Sequence, residues 1–201
     1  MTINIIIIED QRTILDAFEL LLNGVEKFKV LATFTDAQQA LAWVKVNTVD
    51  IVLSDVELPQ YSGLEMAEEI AKCKPDIKLI MLTTFAKIGY LEKALDIGVN
   101  GYLTKDTPIE KLVKSIIDIH QGKTIISKDL RITSQLNPNP LTAREKDILR
   151  LISFGFSNKD ISKELHLSTG TVRNYLSIAM EKLNVNSRIE ALKHALDNGW
   201  I

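Results

Sequence analysis

Apolar residues in the first half of the chain alternate between two textures. Short, nearly continuous runs such as Ile3–Ile8 and Ile51–Ser54 read as buried strands. Between them lie stretches of helical periodicity. Ile14, Leu15, Phe18, Leu21 and Leu22 share one stripe within Gln11–Leu22. The alternation continues with predicted strands over Val30–Phe34, Lys78–Thr83 and Gly101–Leu103. Predicted helices fill Ala37–Val46, Leu64–Ala71, Gly89–Ile97 and Pro108–Gln121, the last with Ile109, Leu112, Val113, Ile116 and Ile117 inward. Five strands alternating with five helices imply an α/β fold whose parallel sheet is covered on both faces. Sites in such sheets form at the carboxyl ends of the strands, near the switch in strand order.

From about residue 122 the periodicity weakens, and Pro138 and Pro140 flank Asn139. The expected organisation is a first domain over 1–121, a linker over 122–139 and a second domain over 140–201. The second domain reads as all helix, over Ala143–Ser153, Asn158–Leu165, Ser168–Leu183 and Ser187–Asn198. Thr142 and Glu145 have the spacing of a capping box at the first of these. A tight turn at His166-Leu167 separates the second helix from the third, the layout of a helix-turn-helix.

Composition refines this picture modestly. No apolar run approaches the roughly 18–20 residues that a membrane span requires. The run Ile5–Ile8 ends in Glu9-Asp10 and lacks the basic leader and cleavage site of a signal peptide. A single cysteine, Cys73, excludes an intramolecular disulfide and fits a reducing cytoplasm. The net charge of −2 hides an asymmetry: residues from 140 onward carry 9 Lys/Arg against 7 Asp/Glu, and the remainder 15 against 19. The excess of cations is compatible with a nucleic-acid-binding C-terminal half.

Chemistry gathers at the strand ends. Glu9 and Asp10 follow the first strand, Asp55 the third, Thr83 and Thr84 the fourth, and Lys105 the fifth. Taken singly, each is an ordinary turn or surface residue; in this order they converge on one edge. Asp10 and Asp55 could give carboxylates, and Glu57 a main-chain carbonyl, to Mg²⁺, which prefers oxygen ligands. Asp55 is then a candidate nucleophile toward a phosphoryl group, with Lys105 neutralising charge and Thr83 donating its hydroxyl.

Glu9-Asp10, Ser54-Asp55, Pro59 with Gly63, Thr83, and Gly101-Tyr102-Leu103-Thr104-Lys105 together resemble the signature of receiver domains, over residues 1 to about 121. The resemblance implies a flavodoxin-like (βα)5 fold, with Asp55 as phosphoacceptor and Glu9 and Asp10 at the acidic metal site. It also implies Thr83, Tyr102 and Lys105 as switch and signalling residues. Glu57 and Phe85, each two residues beyond a site residue, occupy positions that face the phosphoryl group in receiver domains. We expect the bulky Phe85 to hinder water attack and lengthen the phosphorylated lifetime.

In the second half, Ser168, Thr169 and Thr171 crowd the start of the third helix, where hydroxyls and free N–H groups suit phosphate. Helical spacing turns Val172, Leu176 and Ala179 to the core and Arg173, Asn174 and Ser177 outward. Arg favours guanine edges and Asn adenine edges, so Arg173 and Asn174 are the expected base readers, with Ser177 weaker. Lys159 and Lys182 are candidates for phosphate contact.

The segments Leu141–Glu145, Gly155–Ile161, Thr171–Tyr175, Lys182-Leu183 and Ser187–Ala191 resemble the LuxR-type DNA-binding domain, a four-helix helix-turn-helix. With the receiver signature, the whole chain resembles the NarL/FixJ class of response regulators. That likeness implies a sensor histidine kinase, double-stranded DNA and a homodimer formed on phosphorylation as partners. The first and last receiver helices are the expected dimer face, through Ile14, Leu112 and Ile116, with Ala191 and Ala195 pairing the DNA-binding domains. Rival readings, among them a phosphorylation-independent regulator with a degenerate receiver and a pure interaction adaptor, fare worse. An enzyme of flavodoxin-like fold would need a Gly-rich phosphate loop or a catalytic histidine, yet the one histidine of the first domain is His120, far from the strand ends. A phosphatase with a nucleophilic aspartate would want a second aspartate two residues on, where this chain has Glu57.

Overall fold

The computed structural model describes residues 2–84, 87–128, 130 and 139–201. Contacts divide the chain into two compact units.

The first unit is a parallel sheet of six strands in the order β2-β1-β3-β4-β5-β6. These are β1 (Ile3–Ile8), β2 (Phe28–Phe34), β3 (Ile51–Asp55), β4 (Lys78–Thr83), β5 (Gly101–Thr104) and β6 (Ile125–Ile126). Five helices intervene: α1 (Arg12–Asn23), α2 (Ala37–Val46), α3 (Gly63–Cys73), α4 (Ile88–Ile97) and α5 (Ile109–His120). The order of the first five strands is the flavodoxin-like one, with its switch point between β1 and β3.

Side-chain alternation along the strands divides the core in two. Ile6, Ile8, Val52, Met81 and Tyr102 pack with Ala40, Val44, Met66, Ile70, Leu91 and Ala94. Ile5, Ile7, Leu53, Ile80, Leu82 and Leu103 pack with Leu15, Leu22, Leu112, Ile116 and Ile119. Each Val, Leu, Ile or Met among them contributes about 1.5–3 kcal/mol by leaving water, which is why the strands are apolar on both faces.

Several boundaries move for local reasons. Gln11 is extended and caps α1 rather than joining it. β2 begins at Phe28 because Phe28 and Lys29 pair with Ile3 and Asn4. Ile125 and Ile126, within the expected linker, pair with Gly101 and Tyr102 and add the sixth strand. The dimer-face expectation needs correction: Leu112 and Ile116 are core residues. The exposed apolar residues of that face are Leu20 and Leu21, beside Val25, Ile109 and Val113 around a groove of about 540 Å³.

The second unit holds α6 (Ala143–Ser153), α7 (Asn158–Glu164), α8 (Thr169–Lys182) and α9 (Arg188–Asp197). Every start is capped by a hydroxyl: Thr142, Ser157, Ser168 and Ser187 each accept from the backbone three residues on. The expected Thr142–Glu145 capping box is present, and Ser157 with Asp160 forms another. Between α7 and α8, His166 takes a left-handed φ of 54°, and the Leu167 amide donates back to the Ser162 carbonyl at 2.8 Å. That reversal sets α8 across α7. Ile148, Ile161, Val172, Leu176, Ala179, Ala191 and Ala195 fill the core between the helices. Ala191 and Ala195 are fully buried there and are not a pairing surface. Among the described residues no helix is long and apolar enough to cross a membrane.

Candidate functional site

The carboxyl ends of β1, β3, β4 and β5 bring Glu9, Asp10, Asp55, Thr83 and Lys105 together as expected. Glu9 and Asp55 are buried, and the Lys105 ammonium bridges them, 2.6 Å from Glu9 Oε2 and 2.8 Å from Asp55 Oδ2. The main-chain amide of Glu57 donates to Asp55 Oδ1 at 3.2 Å. Both oxygens of Asp55 are thus oriented by donors. The Gln11 amide donates to Glu9 Oε1 at 3.3 Å.

The electrostatics follow from burial. Loss of water pushes the Asp55 carboxyl above its ordinary value, although Lys105 and the Glu57 amide pull it back. Glu9 is raised by the same burial against the pull of Lys105. Burial works to lower Lys105, but its hydrogen bonds and charge pairing with Asp55 and Glu9 outweigh it and hold the ammonium protonated. The pocket therefore holds more carboxylate than one lysine neutralises. Glu9, Asp10 and Asp55 can each bring one carboxylate oxygen within 4.8 Å of the other two, with Asp10 the most open. An all-oxygen set of this kind suits a hard divalent cation such as Mg²⁺. The Glu57 side chain stands outside that cluster: its carboxylate accepts from the Tyr90 hydroxyl at 3.4 Å.

Gly63 explains how β3 ends where it does. A Cβ there would lie 1.8 Å from the Asp55 carbonyl oxygen and 2.9 Å from Ser54 Oγ, so only glycine lets α3 start this close to β3. Thr83 closes β4, buried. Tyr102 is wholly buried in the sheet core, and desolvation pushes its phenol well above the ordinary range. The expectation for Phe85 lies outside the described residues.

In the second unit α8 presents Arg173, Asn174 and Ser177 to solvent, opposite Val172, Leu176 and Ala179. Among the described residues, Arg173 makes no ion pair. Ser168 caps α8, and its hydroxyl meets that of Thr171 at 2.8 Å, with Thr169 exposed beside them. Lys159 is exposed on α7. Lys182 corrects the expectation. Its ammonium lies 2.8 and 2.9 Å from the two oxygens of buried Glu145, so it anchors the C-terminal end of α8 to the N-terminus of α6. Burial works to raise Glu145, but Lys182 and Thr142 outweigh it and hold the carboxyl below its ordinary value. The pairing spans 37 residues and had no local signal in the sequence.

Comparison with known proteins agrees with this geometry. The model of the response regulator receiver domain matches residues 5–117, and that of the bacterial regulatory proteins of the luxR family matches residues 139–195. The transcriptional regulatory protein DesR of Bacillus subtilis (strain 168) is 42% identical over 198 residues, covering 98% of each chain. YvfU, an uncharacterized transcriptional regulatory protein of the same organism, is 42% identical over 199 residues, covering 99% of this chain and 100% of its own. Among solved structures, that of two RcsB dimers bound to two parallel DNAs is 25% identical. It covers 98% of this chain and 99% of its own, at a TM-score of 0.69.

Proposed function

The chain belongs to the response regulators that join a receiver domain to a LuxR-type DNA-binding domain, and from that premise we propose that phosphorylation of Asp55 controls DNA reading by α8. It is a two-component regulator of transcription rather than an enzyme. In our reading residues 1–121 receive the signal, 122–139 join the halves, and 140–201 bind DNA in the cytoplasm.

The observation that carries the proposal is the Lys105 ammonium held between Glu9 and Asp55 at 2.6 and 2.8 Å. A carboxylate oxygen of Asp55 attacks the phosphorus carried by a histidine of the sensor kinase, and the bond from that histidine to phosphorus breaks. Lys105 offsets the charge arriving on Asp55. Thr83 donates its hydroxyl to a phosphoryl oxygen, and that draw on the end of β4 repacks its neighbour Tyr102. Mg²⁺, held by the carboxylates of Glu9, Asp10 and Asp55 with the Glu57 carbonyl, would neutralise the phosphoryl oxygens.

Phosphorylation then shifts the receiver toward a form that self-associates. The apolar groove lined by Leu20, Leu21, Val25, Ile109 and Val113 supports placing that contact on α1 and α5. Two recognition helices on paired half-sites gain affinity through effective concentration. Arg173 and Asn174 read bases, Ser177 assists, and Ser168, Thr169, Thr171 and Lys159 meet phosphates. The test is selection from a random pool of DNA duplexes, with and without acetyl phosphate and Mg²⁺. Phosphorylated wild type should enrich one paired motif, and Asp55→Ala should not. Equal enrichment by both would overturn the proposed control.

A further inference from the structure

The loop that carries the chain from Asp55 to α3 turns on an unfavourable residue. Gln60 has a left-handed φ of 64°, and around it the Tyr61 amide donates back to the Pro59 carbonyl at 2.7 Å. Three-residue turns with a positive φ at the centre are rare and strained. For a residue with a Cβ the left-handed conformation is disfavoured by roughly tenfold. The loop nevertheless requires the reversal. Val56 and Leu58 are seated in the sheet core, and the chain must then return at once to Ser62, which caps α3. Between the two seated residues, the Glu57 amide donates to Asp55 Oδ1 at 3.2 Å.

A second contact fastens the turn. The Tyr61 ring packs against the same core, and its hydroxyl donates to Glu69 Oε1 on α3 at 2.9 Å. The other Glu69 oxygen accepts from the Lys45 ammonium on α2 at 3.3 Å. Burial and the hydrogen bond to Glu69 push the phenol up to about 12, so it stays a donor throughout the neutral range. The Tyr61 hydroxyl and Lys45 in turn hold Glu69 below its ordinary value.

We propose that Tyr61 is a positioning residue, clamped through Glu69 to α3 and α2, that holds the strained turn closed and so keeps the Glu57 main chain on the acidic pocket. The inference rests on Asp55 being the phosphoacceptor and on Mg²⁺ lying among the carboxylates around it. A hydrogen bond of this kind shifts an equilibrium by roughly three- to tenfold. That is close to the penalty at Gln60, so the two are near balance. Removing the hydroxyl then lets the turn open in a sizeable fraction of molecules. A site competent only in the closed fraction binds its cation correspondingly more weakly. The chemistry at Asp55 is unaltered in molecules that remain closed, so saturating Mg²⁺ restores the rate.

The test uses the full chain with acetyl phosphate and follows phosphate uptake over a range of Mg²⁺ concentrations. The rise in unfolding temperature with Mg²⁺, measured without the donor, is a second readout of the same affinity. Tyr61→Phe removes one oxygen and keeps the ring in the core. In it the Mg²⁺ concentration giving half the maximal rate should rise at least about threefold. The maximal rate should stay within about twofold of wild type. Glu69→Ala should behave alike, and the double variant should be no worse than the more affected single one, because the two residues act as one clamp. Gln60→Gly removes the penalty of the left-handed turn, so adding it to Tyr61→Phe should bring half-saturation back toward wild type. Unchanged half-saturation in Tyr61→Phe, multiplied effects in the double variant, or no recovery with Gln60→Gly would each overturn the proposal. Failure of wild type to take up phosphate at Asp55, or uptake indifferent to Mg²⁺, would instead overturn the reading beneath it.

Discussion

Removing the lysine of the Glu145–Lys182 pair should unfasten α8. In Lys182→Met the Glu145 carboxylate stays 2% exposed but keeps only its Thr142 donors. Breaking a fully buried ion pair by deleting one partner destabilises by about 3–5 kcal/mol. A fully exposed pair is worth about 0–1 kcal/mol. The lysine side chain is 32% exposed, so water can enter from its side, and the expected loss lies between these limits at about 2 kcal/mol. That is roughly a thirtyfold change in the ratio of folded to unfolded second unit. Urea unfolding followed by Trp200 fluorescence, in a Trp43→Phe background, reports on this unit alone. The pH dependence is a second check. Glu145 is held below its ordinary value of 4.5, so the pair's contribution is complete above that value and is lost as pH falls through the lowered one. The gap between wild type and variant should therefore be full at pH 7 and close in acid. Glu145→Gln/Lys182→Met should be less damaged than Lys182→Met, since no unpaired charge is left buried. A gap at pH 7 below about 0.5 kcal/mol, or one that persists unchanged in acid, would refute the reasoning.

The crowded carboxylates of the receiver make the opposite forecast. Asp55→Asn should stabilise the first unit at pH 7 in urea unfolding without metal. Because burial raises Asp55 above 3.8, its destabilising effect is absent below that value and grows as pH rises through the raised one, so the gain should vanish in acid. Mg²⁺ should stabilise wild type and leave Asp55→Asn nearly unmoved. Gly63→Ala should cost several kcal/mol or displace Asp55, given the 1.8 Å approach to its carbonyl; wild-type stability together with wild-type phosphate uptake would contradict that. Arg173→Ala and Asn174→Ala should each lose about 1–3 kcal/mol of discrimination at one base pair of the selected motif, with melting temperature unchanged. A uniform loss over all sequences would assign them to phosphate instead.

Much of this was legible from local pattern, and the misses have physical causes. Ile3–Ile8 and Lys78–Thr83 are strands over the expected residues because a doubly covered strand is apolar throughout. The start of α6 was readable from Thr142 and Glu145, since capping acts over three residues, whereas Ser168 and Ser187, expected within their helices, cap them instead. β6 was not, because two isoleucines carry no period and their pairing with Gly101 and Tyr102 is set by the sheet edge. The order Glu9, Asp10, Asp55, Thr83, Lys105 pointed to one pocket through strand-end geometry alone. What escaped were partnerships between distant elements. Lys182 reads as a free cation until Glu145 is seen beneath it. Glu57 was read for its main-chain carbonyl and its place near the phosphoryl group, and the contact of its side chain with Tyr90, 33 positions away, had no local signal. Leu112 and Ile116 lie on the apolar stripe of α5, and a stripe does not say which of its residues go into the core and which stay outside.

The central claim is that a phosphoryl group arrives on Asp55 and nowhere else. Borohydride reduces an aspartyl phosphate to homoserine, so trapping after treatment with acetyl phosphate, followed by peptide mass mapping, locates it. Homoserine at residue 55 alone, dependent on Mg²⁺ and lost in Lys105→Ala, is the expected result. Homoserine at Asp10 or another residue, or none while Asp55 is intact and folded, would contradict it.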